Sequence, residues 1–190
     1  MKVIVFLADG FEEVEALTVV DYLRRMEVEV DTVSITLEKE VRGSHNIRVL
    51  ADKTIDELKD IESYQGVVIP GGLPGAANLR DDSRVIETVK KMNDAKKLTA
   101  AICAGPIVLA KAGIIEGKKV TSYPGFEDKL AKAVYQEQGV VRDGNIITAR
   151  GPSLAVYFAL EIAEYLLGKE KAQKLRDNIL LPIAEAYSQK

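Results

Sequence analysis

Along the 190-residue chain, short apolar runs alternate with longer amphipathic stretches. "KVIVFLA" is an unbroken apolar run of the kind buried on both faces of a parallel sheet. It is followed by "FEEVEALTVVDYLRRM", where Val14, Leu17, Thr18 and Tyr22 or Leu23 recur at helical spacing. The strand-then-helix unit repeats: the strand "VEVDTVSI", a polar hairpin-like insertion from Glu40 to Val49, the strand in "GVVIPGG", the helix "SRVIETVKKMNDA", the strand "KLTAAIC" and the helix "GPIVLAKAG". After these come the strand-like "KKVTSYPG", the pair "GVVRDGNIITAR" turning at Asp143-Gly144, and the helix "SLAVYFALEIAEYLLG". The alternation predicts an α/β sandwich, since crossovers of this length between parallel strands are right-handed and lay helices on both faces of the sheet. No repeat, low-complexity tract or linker divides the pattern, so residues 1–190 are expected to form one domain.

In such sheets ligands gather at the carboxyl ends of the strands, which makes the strand-end residues the ones to read for chemistry. Three groups stand there: Gly10 to Glu15, "PGGLPGAANL", and Cys103. The glycine stretch lacks the lysine and Ser/Thr of a phosphate-binding P-loop and is not G-x-G-x-x-G; it reads better as a turn that brings bare backbone N–H groups near a reacting oxygen. Cys103 is the only cysteine, and "AICAG" around it has the small-x-nucleophile-x-small pattern of a sharp strand-to-helix turn. A lone cysteine is often just a small buried hydrophobe. At a strand end, before a Gly-Pro helix start whose N–H groups favour a thiolate, the reactive reading is the better one.

Charge and composition narrow the partners. With 26 Lys+Arg against 29 Asp+Glu, mixed along the helical stretches, there is no nucleic-acid footprint, and the charges read as solvated helix faces. No stretch approaches the length of a membrane span, and the N-terminus meets acidic residues too soon for a secretory leader, so a reducing cytoplasm is expected. One cysteine and one histidine cannot furnish a typical zinc cluster; neither metal nor cofactor is expected. His45 lies in the polar insertion, where it could pair with Cys103 only if that loop folded over the strand end. Glu12 and Glu13 read as surface acids complementing a helix start. Glu15 differs, because it falls in line with the apolar face of Leu17, Val19 and Tyr22.

Taken in order, "FLADGFEEVEALTVVDYLRR", "VVIPGGLPGAANL", "AAICAGP", "KVTSYP" and "ITARGP" resemble the successive motifs of the ThiJ/PfpI superfamily, specifically its DJ-one-like branch, over essentially the whole chain. The resemblance implies a flavodoxin-like three-layer α/β/α sandwich, a homodimer, a reactive cysteine at Cys103, a protonated glutamate at Glu15, and a pocket built from the backbone of Gly71, Gly72 and Ala104. Arg25, from the family's "RR", is the basic group implied for an anion, with His45 where relatives can carry arginine. Four positions depart from the family: Ala104 replaces the histidine of the protease-like branch, Tyr123 replaces a histidine of human-like members, and Ser153-Leu154 replaces Gly-Thr. Family activities make the expected function a cofactor-independent glyoxalase or deglycase acting on methylglyoxal, glyoxal or their protein adducts. The alternative is a redox-responsive stress protein or chaperone whose cysteine is oxidised to a sulfinate. With a neutral Glu15 donating to sulfur, Cys103 is expected to titrate well below the ~8.5 of a free thiol.

Overall fold

The computed structural model describes residues 1–130 and 132–187; residue 131 and residues 188–190 of the expected domain lie outside that description. In chain order the strands are β1 (Lys2–Leu7), β2 (Glu29–Ser34), β3 (Glu40–Arg42), β4 (Arg48–Leu50), β5 (Lys53–Thr54), β6 (Gly66–Ile69), β7 (Leu98–Ile102), β8 (Lys119–Val120), β9 (Val134–Tyr135), β10 (Val140–Asp143) and β11 (Ile146–Ala149). The helices are α1 (Glu13–Arg25), α2 (Gly75–Asp81), α3 (Ser83–Asp94), α4 (Pro106–Lys111), α5 (Ala155–Leu167), α6 (Lys169–Asn178) and α7 (Leu181–Tyr187). A seven-stranded sheet runs β10-β11-β7-β6-β1-β2-β5, parallel throughout except where β10 meets β11.

The apolar run of β1 serves two layers because successive side chains point to opposite faces. Val3, Val5 and Leu7 join α1 and α5 through Ala16, Val19, Leu23, Phe158 and Ile162. Ile4 and Phe6 join the opposite layer, with Leu79, Val85, Val89, Met92 and Val108 from α2, α3 and α4. This is the expected flavodoxin-like α/β/α fold. Register places the carboxyl ends of β1, β6 and β7 side by side, with Val5 beside Val68 and Ile69 beside Ala101, so the three loops singled out above leave the sheet at one edge.

Several elements differ from the sequence reading. "KKVTSYPG" contributes only β8, which pairs with β9 in a separate two-stranded sheet rather than joining the main one. The expected loop "PGGLPGAANL" ends in helix α2, whose Ala76 and Leu79 are buried; α6 and α7 extend the chain beyond the last expected helix. The insertion, by contrast, is the hairpin expected, β3 against β4, with Arg42 opposite Arg48. On α1 the sheet takes Ala16, Val19, Val20 and Leu23, whereas Val14, on the expected apolar stripe, is 51% exposed. Both stripes have helical period, and only packing decides between them.

Phe158 is wholly buried between α5 and the sheet, far along the chain from Cys103. Phe158→Ala should therefore lower stability by about 3–5 kcal/mol, read as a fall in the urea midpoint at unchanged slope.

Candidate active site

Cys103 sits one residue beyond β7, with φ of 62°. Left-handed backbone is unfavourable for a side-chain-bearing residue and persists only where its surroundings impose it. Here the neighbours do so from both sides: the Cys103 N–H donates to the Ala149 carbonyl at 2.9 Å, and its carbonyl accepts the Tyr123 N–H at 2.9 Å. Gly105 N–H then closes on Ile102 O at 2.8 Å, and Pro106 opens α4. The result is the sharp turn that the small flanking residues predict, with a half-buried thiol at its tip. At six residues α4 is short, so individual N–H groups matter more here than a helix dipole.

Glu15, in the first turn of α1, has no solvent exposure. Its Oε2 accepts the Gly71 N–H at 2.8 Å, and its Oε1 has no hydrogen-bond partner among the described residues. Gly71 must be glycine: a Cβ there would lie 2.6 Å from both Cys103 Cβ and Glu15 Oε2. Gly72, at φ 83°, runs equally close to the β1–α1 loop, where a Cβ would fall 2.4 Å from the Glu12 N–H nitrogen. Two glycine peptides therefore let the loop after β6 wedge between the start of α1 and the cysteine turn.

Burial pushes the Glu15 carboxyl up to about 7, against the pull of the Gly71 N–H and the Cys103 thiol. The Cys103 thiol is also pushed up, to about 12, first by burial and then by the charge and hydrogen bond of Glu15; the N–H groups of Ala104 and Gly72 act the other way. The expected low thiol pKa thus meets the opposite direction, because a buried sulfur beside a carboxylate is disfavoured as an anion. The two groups titrate as a pair, and a negative charge on either opposes one on the other.

The profile of the DJ-1/PfpI family matches residues 1–165. The chain belongs to the DJ-1/PfpI family. Among relatives, the Drosophila melanogaster protein dj-1beta is 38% identical over 180 residues, covering 94% of this chain and 96% of its own. The Parkinson disease protein 7 homolog of Danio rerio is 37% identical over 183 residues, covering 95% and 97%. The solved structure of oxidized Toxoplasma gondii DJ-1 superimposes with a TM-score of 0.89 at 38% identity, covering 94% of this chain and 97% of that one. Within the DJ-1/PfpI family match fall the five sequence motifs; α6 and α7 lie beyond it.

Of the residues singled out by sequence, Cys103, Glu15, Gly71, Gly72 and Ala104 come together. Gly71 does so with its N–H already engaged by Glu15, which leaves the Gly72 and Ala104 N–H groups facing sulfur. Arg25 stands at the far end of α1, where its Nε bonds Asp21 at 2.7 Å. Tyr123, 48% exposed, is anchored to the cysteine turn through its N–H, and its ring flanks Gly151. His45 turns to Glu13, 3.0 Å away. The reading of Glu13 as a surface acid fails: it is 4% exposed and accepts the His45 N–H. A signal existed, since Ser44-His45 closes a hairpin that must cap something, but nothing local says what.

Glu15 places a pH signature on stability. Its folded-state pKa of about 7 exceeds the ordinary 4.5, so the folded state holds the extra proton and stability falls as pH rises from about 4.5 to about 7. Glu15→Gln keeps an acceptor for Gly71 and a donor toward sulfur without that charge. It should be more stable than the native protein by up to roughly 3 kcal/mol near pH 8, the difference vanishing near pH 4; urea unfolding at the two pH values measures it.

Proposed function

We propose that the protein is a cysteine-dependent enzyme of small reactive aldehydes, converting methylglyoxal to lactate or releasing it from protein adducts. The observation that carries the reading is the buried Glu15 carboxyl, one oxygen held by Gly71 and the other unpartnered, beside a thiol on a strained turn. A carboxylate with affinity for a proton near neutral pH is suited to general-base work. It accepts the thiol proton as sulfur adds to the aldehyde carbon and returns it to the hemithioacetal oxygen, which forms toward the Gly72 and Ala104 N–H groups. Glu15, again a carboxylate, then moves one proton from the former aldehyde carbon to the neighbouring carbon, while the hemithioacetal hydroxyl proton passes to the former ketone oxygen. The product is a lactoyl thioester on Cys103, and water releases lactate and regenerates the thiol. The sum is methylglyoxal plus water to lactate, with no external oxidant or reductant. A thiol that must stay reduced for this chemistry fits a cytoplasmic setting.

Lactate formation is the decisive readout. The native protein should produce lactate stoichiometrically with aldehyde loss, and Cys103→Ser should lower the rate by at least about a hundredfold. Reversible trapping of aldehyde by the thiol without lactate would overturn the enzyme reading. That result would favour the second reading, a redox-responsive protein, for which the oxidized form of the Toxoplasma gondii relative is the supporting observation.

We also propose a two-fold dimer through α1. Val14, Thr18, Tyr22 and Arg25 recur along one face of the helix at spacings of four, four and three. The adjoining hairpin adds Ile47, 53% exposed, and Leu50, 76% exposed. An isologous contact on this face would carry one subunit's Arg25 toward its partner. Sedimentation at micromolar concentration should give a dimer that Val14→Asp dissociates; a native monomer would end the proposal.

A further inference from the structure

His45 is the chain's only histidine, and the aldehyde chemistry leaves it unused. The β3–β4 turn that carries it is laid across the loop leading into α1. Gly10 N–H donates to Arg42 O at 2.7 Å, Ser44 N–H to Phe11 O at 2.8 Å, and Arg42 N–H to Asp9 Oδ1 at 2.8 Å. Into this turn Glu13 sends its carboxylate: Oε1 accepts the His45 N–H at 2.8 Å, and Oε2 lies 3.0 Å from His45 Nδ1 and 3.1 Å from Ser44 Oγ. Glu12 closes the other side, with Oε1 3.6 Å from His45 Nδ1 and Oε2 3.0 Å from Ser44 Oγ. Two carboxylates thus face one imidazole. The other charges on these elements are Arg42, Arg48, Glu40 and Asp9: Arg48 pairs with Glu40, Asp9 accepts the Arg42 N–H, and Arg42 lies with Asp9, Glu40 and Ser44 along one groove.

The same short segment reaches the candidate active site. Glu12 N–H donates to Gly71 O at 3.0 Å, and Gly71 N–H holds Glu15, so a single residue, Gly71, bridges the clamp and the buried acid. We propose that His45 is a positioning residue for the Glu15–Cys103 pair: its imidazolium, seated on Glu12 and Glu13, offsets the negative charge at the start of α1 and so sets the pH at which Glu15 gives up its proton. The charge of Glu12 raises the proton affinity of Glu15, and the glutamates in turn raise that of His45, while Glu13 is held down at about 2. The clamp is therefore fully formed above the ordinary carboxylate range and is lost as pH rises through the raised His45 pKa. Above that point the charge of Glu12 acts on Glu15 without the imidazolium beside it.

The proposal rests on the paired site described above for its consequence in turnover, but its test needs no substrate. In the Cys103→Ser protein, where Glu15 titrates without its coupled thiol, the carbonyl band or 13C resonance of Glu15 is followed from about pH 5 to about pH 9. His45→Gln should raise the Glu15 midpoint by about half a unit, and His45→Arg, charged throughout, should hold it at or below the native value. An unshifted midpoint in a folded His45→Gln protein would reduce the clamp to a structural role and overturn the proposal. Should that variant fail to fold, the native histidine serves, because its ring protons are those of a single residue. The Glu15 curve should inflect at the His45 midpoint, and a curve with no such inflection overturns the proposal equally. Failure of lactate formation with the midpoint shift intact would reject the enzyme reading and leave this one standing.

Discussion

A hydrogen bond between residues 56 positions apart, from the Gly71 N–H to the buried Glu15 carboxylate, joins the first helix to the loop after β6 at the point where the cysteine turn arrives. A buried carboxylate without partners is strongly disfavoured, and this one has a partner for only one oxygen. The carboxyl therefore keeps its proton to about pH 7, and that raised affinity couples it to Cys103. Gly71 can donate only because nothing occupies its Cβ position, so the loss of one side chain creates both the bond and the contact with sulfur.

The scaffold supplies the rest by strand adjacency. β1, β6 and β7 are neighbours in the sheet, and each ends in one member of the site: the loop to Glu15, the glycine turn, and Cys103. Packing on both faces holds these ends with little freedom, which is what a strained left-handed cysteine needs if it is not to relax. The hairpin, by contrast, adds no strand to the main sheet. It is held by Val41, buried in the α1-side core, and through Glu13 and the β1–α1 loop, and this attachment brings the single histidine close to the acid without bringing it to the thiol.

How much of this could be read from the chain differs residue by residue. The apolar runs, the Gly-Pro start of α4 and the small residues around Cys103 carry their meaning locally, because strand burial and sharp turns restrict which side chains fit. Helix α2 was hidden by glycines and prolines that also suit a turn, and β8 by an apolar pattern too short to show which sheet it joins. Glu13 and Glu15 look alike in "EEVE". One is drawn down by a hairpin turn arriving from 32 residues later, the other pushed up by burial.

Sequence by itself determined the layered α/β architecture, the position of the thiol at a strand end and the family, since these depend on side-chain size and periodicity along contiguous residues. Tertiary structure alone decided which stripe of α1 faces the sheet, that the Gly71 N–H serves Glu15, and that Cys103 is disfavoured as an anion beside it. Proton affinity depends on burial and on charges brought near by folding, and neither is a property of any stretch of sequence.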